Sequence, residues 1–231
     1  MAQTRTNTPE RLRWAVDIVA ADSPTTVLEI GCERGMAIEL LCDRLGGNAE
    51  IVGLDRSETA IRATAGRNAH YISAGRVRLV HAEIATASFD ETKFDSIFAV
   101  NVNVFWVHPA KDELAAVRHA LAPTGRMALI YEPPSAQLAA RIETLCTRNL
   151  EENGFTAVNV MRRDLDRNVG VCILARASSS GNERATVCRP DRSTMRGAER
   201  RGQVSAPVRS LREVEQRLLR STDLLRACRK P

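Results

Sequence analysis

The turn Gly31-Cys32-Glu33-Arg34-Gly35 follows the apolar run "TVLEI" and precedes a stretch of helical character. Its two glycines permit positive φ and close backbone approach, and the turn's N–H groups, with the helix behind them, favour a negative group. Asp55 closes the next run, "IVGLD", where an ionised carboxylate can accept two neighbouring hydroxyls or simply serve as a turn or N-cap residue. Glu83, just past "VRLVHA", reads either as a ligand-facing acid or as a solvated loop residue. A fourth run, "FAVNVNVFWVHP", ends in a different set of groups. Asn101 and Asn103 can orient a small molecule by hydrogen bonds, Trp106 can wall a pocket, and His108 is the candidate base.

These groups share one edge only if the runs before them are strands that all point the same way. Short, nearly all-apolar runs at 26–30, 51–55, 77–81, 94–100 and 126–131 alternate with amphipathic stretches at 36–45, 57–69, 111–121 and 136–153. That alternation predicts a parallel sheet covered on both faces. A first helix starts at Thr8-Pro9-Glu10, an N-cap followed by proline, and runs to about Ala20. Two further runs, 155–161 and 169–175, are separated only by "RRDLDRN", too short for a crossover helix, so they pair antiparallel. The predicted fold class is α/β: a doubly wound, seven-stranded, mostly parallel sheet with the last strand antiparallel. In such sheets ligands bind at the carboxyl ends of the strands, where the strand order reverses.

The dinucleotide fingerprint G-x-G-x-x-G needs glycine at 31, 33 and 36, where this chain has Gly31, Glu33 and Met36. That is a poor match for NAD or FAD. The spacing G-x-G-x-G, with an acid two residues ahead, fits Glu29, Gly31 and Gly35, and only Glu33 departs. Here the chain resembles the class I S-adenosylmethionine-dependent methyltransferases, over about residues 8–177. "VLEIGCERG", "IVGLDRSETAI", "VRLVHAEIA" and "LAPTGRMALIYEPP" resemble four of the family's motifs, in order and at the family's spacing.

The resemblance implies S-adenosylmethionine as cofactor. It implies that Glu29 helps hold the methionine amino end, with Gly31, Cys32 and Gly35 forming the loop. It implies that Asp55, beside Arg56, takes the ribose hydroxyls, and that Ala82, Glu83 and Ile84 frame the adenine. Asn101 completes the implied cofactor set; Asn103 and Trp106 are the acceptor-side candidates. Glu33 adds bulk and a carboxylate where the family brings bare backbone to the cofactor. If the position needs positive φ, a non-glycine there costs on the order of 1 kcal/mol.

Methyl transfer from a sulfonium needs alignment and a dry site, and a base only when the acceptor arrives protonated. The N-P-P-Y motif of amino-methylating nucleic-acid enzymes is absent after the fourth run, and no acidic cluster suggests a metal site. The short loops favour a small-molecule acceptor over a macromolecule. Two other readings stay open: a non-catalytic relative with weakened cofactor affinity, and a methyltransferase acting on RNA or protein.

The net charge of +5 is unevenly placed: residues 1–177 carry 20 Lys+Arg against 22 Asp+Glu, residues 178–231 carry 13 against 6. The expected division is a methyltransferase domain at 1–177 and a basic, disordered tail at 178–231 with a short helix at 208–226. The tail leaves nucleic acid as a disfavoured partner. Six cysteines without a C-x-x-C pair, no apolar run of membrane-spanning length and no secretory h-region suggest a cytoplasmic protein. Oligomeric state is not specified by these features.

Overall fold

The computed structural model describes residues 8–89 and 91–178; the expected tail helix at 208–226 lies outside them. The order of elements is α1 (Glu10–Ala20), β1 (Thr26–Ile30), α2 (Met36–Leu45), β2 (Glu50–Asp55), α3 (Glu58–Arg67), α4 (Ala69–Ser73), β3 (Val77–His81), β4 (Phe94–Val100), α5 (Val104–Val107), α6 (Lys111–Ala120), β5 (Leu121–Tyr131), α7 (Ala136–Glu152), β6 (Phe155–Asp164) and β7 (Val169–Ala177). The seven strands form one sheet in the order β3-β2-β1-β4-β5-β7-β6. Strands β1 to β5 pair parallel, and β7 inserts between β5 and β6, antiparallel to both.

The two faces of the sheet bury separate cores, because side chains alternate along each strand. On one face Val27, Ile51, Phe98 and Ile130 pack with Trp14 and Ile18 of α1 and Ile38 and Leu41 of α2. On the other, Leu28, Leu54, Ile97 and Leu129 pack with Leu114 and Val117 of α6 and Ile142 and Cys146 of α7. This is the doubly wound arrangement expected. Its switch point lies between β1 and β4, because the chain leaves β1 toward β2 and later returns to β1's other side.

Several boundaries differ from expectation for local reasons. The helix expected at 57–69 is two helices, because Asn68 ends α3 and its buried side-chain amide turns back to the carbonyls of Gly35 and Thr64. The helix expected to reach Leu121 stops at Ala120, and β5 begins at Leu121, five residues before the expected start, pairing Leu121 with Phe94 ahead of an irregularity. Strand β6 runs through Arg162 and Arg163 to Asp164, residues expected in the connection. The last helix ends at Glu152, with Asn153 as its cap. Arg126 at the base of β5 is buried and ion-paired with Asp22 at 2.8 Å, and its guanidinium also donates to the Ile18 carbonyl at the end of α1. A cation there suits the negative end of α1. Among the described residues, no helix is long and apolar enough to cross a membrane.

Candidate active site

The turn after β1 is held by backbone on one side and by α3 on the other. The N–H groups of Gly31 and Cys32 donate to the Leu54 carbonyl at 2.7 and 3.1 Å, and Gly35 N–H donates to Cys32 O at 2.7 Å. The three consecutive carbonyls of Glu33, Arg34 and Gly35 accept from Thr64 Oγ1, Arg67 Nε and Asn68 Nδ2 at 3.0, 2.9 and 3.0 Å. Gly35 is required: its φ is +68°, and a Cβ there would lie 2.4 Å from Asn68 Nδ2 and 2.6 Å from Thr64 Cγ2. Thr64 and Asn68 are both fully buried polar residues. They escaped the sequence reading because apolar periodicity does not count polar residues, although their i, i+4 spacing was the available signal.

Asp55 meets this loop from the end of β2. Its Oδ2 accepts the Glu33 N–H at 3.0 Å and its Oδ1 accepts the Ser57 N–H at 2.9 Å. Glu33 has φ +46°, so the position is left-handed, and its side chain is exposed. The expectation that the turn's own N–H groups receive a negative ligand group is narrowed: those of Gly31, Cys32, Glu33 and Gly35 are engaged within the protein, which leaves Arg34 N–H and the start of α2.

Glu29 lies beneath the turn, 3% exposed, with Oε2 buried and unpartnered. Burial first, then the charges of Glu33 and Asp55, raises its pKa from the usual 4.5 to about 8. Burial, followed by the charge of Glu29, pushes the neighbouring Cys32 thiol up to about 12. The ensemble is a cradle of three acids around a turn with four of its five N–H donors engaged, a setting that suits a cationic group better than a pyrophosphate. An unsatisfied, buried carboxyl oxygen at its base is what a ligand ammonium would complete.

Beyond Asp55, Arg56 is exposed and its carbonyl lies 3.1 Å from His81 Nε2. Ala82 N–H donates to the Asp55 carbonyl at 3.1 Å, Glu83 is exposed, and Ile84 is buried at the start of a 3-10 turn, Ile84–Thr86. These residues sit at the strand ends beside Asp55, as the order β3-β2-β1 requires.

Across the switch point, Asn101 leaves β4 with φ +56°, and its Oδ1 accepts the Glu132 N–H at 2.9 Å. A Cβ on Gly31 would lie 2.7 Å from Val102 Cγ2, so the β1 and β4 loops touch. Asn103 Oδ1 accepts the Trp106 indole N–H at 3.2 Å, and His108 Nδ1 accepts the Ala110 N–H at 3.2 Å. The polar atoms singled out on Asn101, Asn103 and His108 thus each hold local structure. The short helix α5 was not anticipated. It is pinned by buried Asn149 of α7, whose amide donates to the carbonyls of Phe105 and His108 at 3.0 and 2.7 Å, and by Tyr131, which donates to Val102 O at 2.8 Å. Beside it, Trp106 is half-buried and Val107 is 56% exposed. A cavity of about 860 Å³ between α6 and α7, lined by Lys111, Arg118, Glu151 and Glu152 among others, shares none of these residues.

Comparison with known proteins gives similarities of one kind. Residues 27–125, which contain the turn, Asp55, Glu83 and the β4 loop, match the family described as a methyltransferase domain. The chain is 31% identical over 128 residues to the nocamycin O-methyltransferase of Saccharothrix syringae, a match spanning 53% of this chain and 44% of that protein. Among solved structures it shares its fold with the N-methyltransferase NodS from Bradyrhizobium japonicum WM9, with a TM-score of 0.56, 16% identity, and 74% of this chain and 96% of that one covered. It also resembles 1,6-didemethyltoxoflavin-N1-methyltransferase from Burkholderia thailandensis, solved with 1,6-didemethyltoxoflavin and S-adenosylhomocysteine, with a TM-score of 0.57, 20% identity, and coverage of 73% and 79%. The resemblance read from the four motifs is borne out, and so is the Rossmann-like fold.

Proposed function

We propose that this chain is an S-adenosylmethionine-dependent methyltransferase acting on a small-molecule acceptor. The observation that carries the reading is the acidic turn: Glu29, Glu33 and Asp55 converge on a loop in which the N–H donors of Gly31, Cys32, Glu33 and Gly35 are already engaged. That environment disfavours the pyrophosphate of NAD and favours a ligand bearing ammonium and sulfonium charges. Bound there, S-adenosylmethionine supplies an activated methyl group on sulfur.

The chain's own part is to hold and exclude. Glu29 faces the amino end, while Gly31, Cys32 and Gly35 supply the close-packed turn beneath the ligand. The Asp55 carboxylate, fixed by two N–H bonds, keeps further lone pairs for the ribose hydroxyls. Arg56, Ala82, Glu83 and Ile84 form the adenine side, with Asn101 at the boundary between the two halves. Trp106 and Val107 give the acceptor side an apolar wall that excludes water, with Asn103 ordering the indole. His108 follows that wall in the chain; with Nδ1 accepting the Ala110 N–H, its neutral ring carries hydrogen on Nε2, which can donate to an acceptor oxygen, and taking a proton from the acceptor requires Nδ1 to give up the Ala110 bond. The names of two similar proteins, nocamycin O-methyltransferase and 1,6-didemethyltoxoflavin-N1-methyltransferase, support a small-molecule acceptor. Buried, unpaired Cys32, Cys42, Cys146 and Cys172 support a cytoplasmic setting.

Thermal unfolding with each ligand in turn tests the reading. S-adenosylmethionine should raise the melting temperature and NAD should not; stabilisation by NAD alone overturns it. Labelled cofactor incubated with small-molecule extracts then identifies the acceptor.

A further inference from the structure

Glu29 is the least accommodated polar side chain at the site. It is 3% exposed, and none of the ion pairs among the described residues includes it. By alternation it lies on the Val27 face of β1, among Cys32, Ile38, Phe98 and Ile130 and under α1 and α2. The charges acting on it are both negative, Glu33 from the turn and Asp55 from β2. The Cys32 thiol beside it stays protonated. On the covering helices, Arg11 of α1 is paired with Glu132, and Glu39 of α2 with Arg67. A carboxylate in that position has lost water and gained no cation, so the protonated acid is the favoured form.

We propose that Glu29 receives the ammonium group of its ligand and releases its own proton to solvent as that group arrives. This rests on the reading that the ligand is S-adenosylmethionine; the contact with the amino end follows from the motif resemblance, and the released proton is the new element. The carboxyl O–H bond breaks, its electron pair stays on oxygen, and the proton leaves to buffer. The carboxylate so formed faces the ammonium group, giving one proton released per ligand bound. An adjacent cation stabilises the charged form of a carboxyl group, which offsets the burial that kept it neutral. Cofactor affinity is thereby tied to pH through a residue that never touches the transferred methyl group.

Calorimetric titration of the full chain with S-adenosylmethionine at about pH 6.5, in buffers of low and high ionisation heat, counts the protons released. The parent should release close to one, and its affinity should rise about tenfold per pH unit between roughly pH 6 and 7. Glu29→Gln should bind more weakly, release none and lose the pH slope. Equal heats in all buffers with clear binding overturn the proton proposal and leave the methyltransferase reading intact. Undiminished proton release from Glu29→Gln overturns it too, by assigning the proton elsewhere. If that variant does not fold, the parent's buffer dependence and pH slope decide. A parent that shows neither heat nor thermal stabilisation with S-adenosylmethionine overturns the methyltransferase reading, and this inference with it.

Discussion

The two loops that meet at the switch point are built on opposite plans. After β1, residues 31–35 are fixed by the neighbouring strand β2, through Leu54 and Asp55, and by one neighbouring helix, through Thr64, Arg67 and Asn68. After β4, residues 101–110 are fixed by side chains from much later in the chain, Tyr131, Asn149 and Asn153. The first plan keeps its shape whatever side chain stands at the centre, which is how Glu33 occupies a position that favours glycine. The second makes the shape of the acceptor wall depend on α7, so substitutions in a distant helix can reshape it without touching the cofactor half.

The largest effect should come from the acid beneath the first loop. The folded state keeps the Glu29 proton up to about pH 8, whereas the unfolded chain releases it near 4.5. Stability from this group is therefore full below about pH 4.5 and declines as pH rises toward 8. Glu29→Gln removes that decline and should make the variant more stable than the parent at about pH 9, by up to roughly 4 kcal/mol in urea unfolding. Next, Gly35→Ala drives a Cβ into Asn68 and Thr64 at a left-handed position, and should cost about 3 kcal/mol with loss of cofactor binding, read by denaturation and calorimetry. Asn149→Ala breaks the other plan. It leaves the carbonyls of Phe105 and His108 unmet, should cost about 2 kcal/mol, and should lower methyl transfer while cofactor affinity holds. Equal losses of both would show that the two loops do not act separately. The smallest effect sharpens the comparison: Glu33→Gly relieves a left-handed residue and should stabilise the fold by about 1 kcal/mol in the same assay.

The legible parts were those in which local sequence and burial agree. Strands β1, β3 and β4 fall at their expected residues because each is an apolar run bounded by turn residues and buried in the sheet. The two glycines and Asp55 were legible because a tight turn at the end of a strand demands such residue types. What escaped was polar and long-range. Thr64, Asn68, Arg126 and Asn149 are buried to satisfy carbonyls or charges on other elements, and nothing in their own neighbourhoods announces that. "APTG" reads as a turn, yet β5 begins before it, because Leu121 finds a partner in Phe94 across a register irregularity. The sign of the Glu33 effect also needed the backbone, since it depends on φ alone.

The first strand among the described residues is also an inner strand of the sheet, third of seven. Strand β1 has β2 on one side, available within a few tens of residues, but its other edge waits for β4. The Asp95 carboxylate that caps the Thr26 N–H lies 69 residues further on. Until that segment is present and docked, "TVLEI" exposes an open row of hydrogen-bonding groups and an apolar face, the conditions under which chains pair with one another instead of with themselves. Closing so long a loop before any contact rewards it makes the β1–β4 pairing a slow step. Refolding yield should accordingly fall with protein concentration, and fall further when Asp95→Ala removes the bond that secures the late strand to the early one.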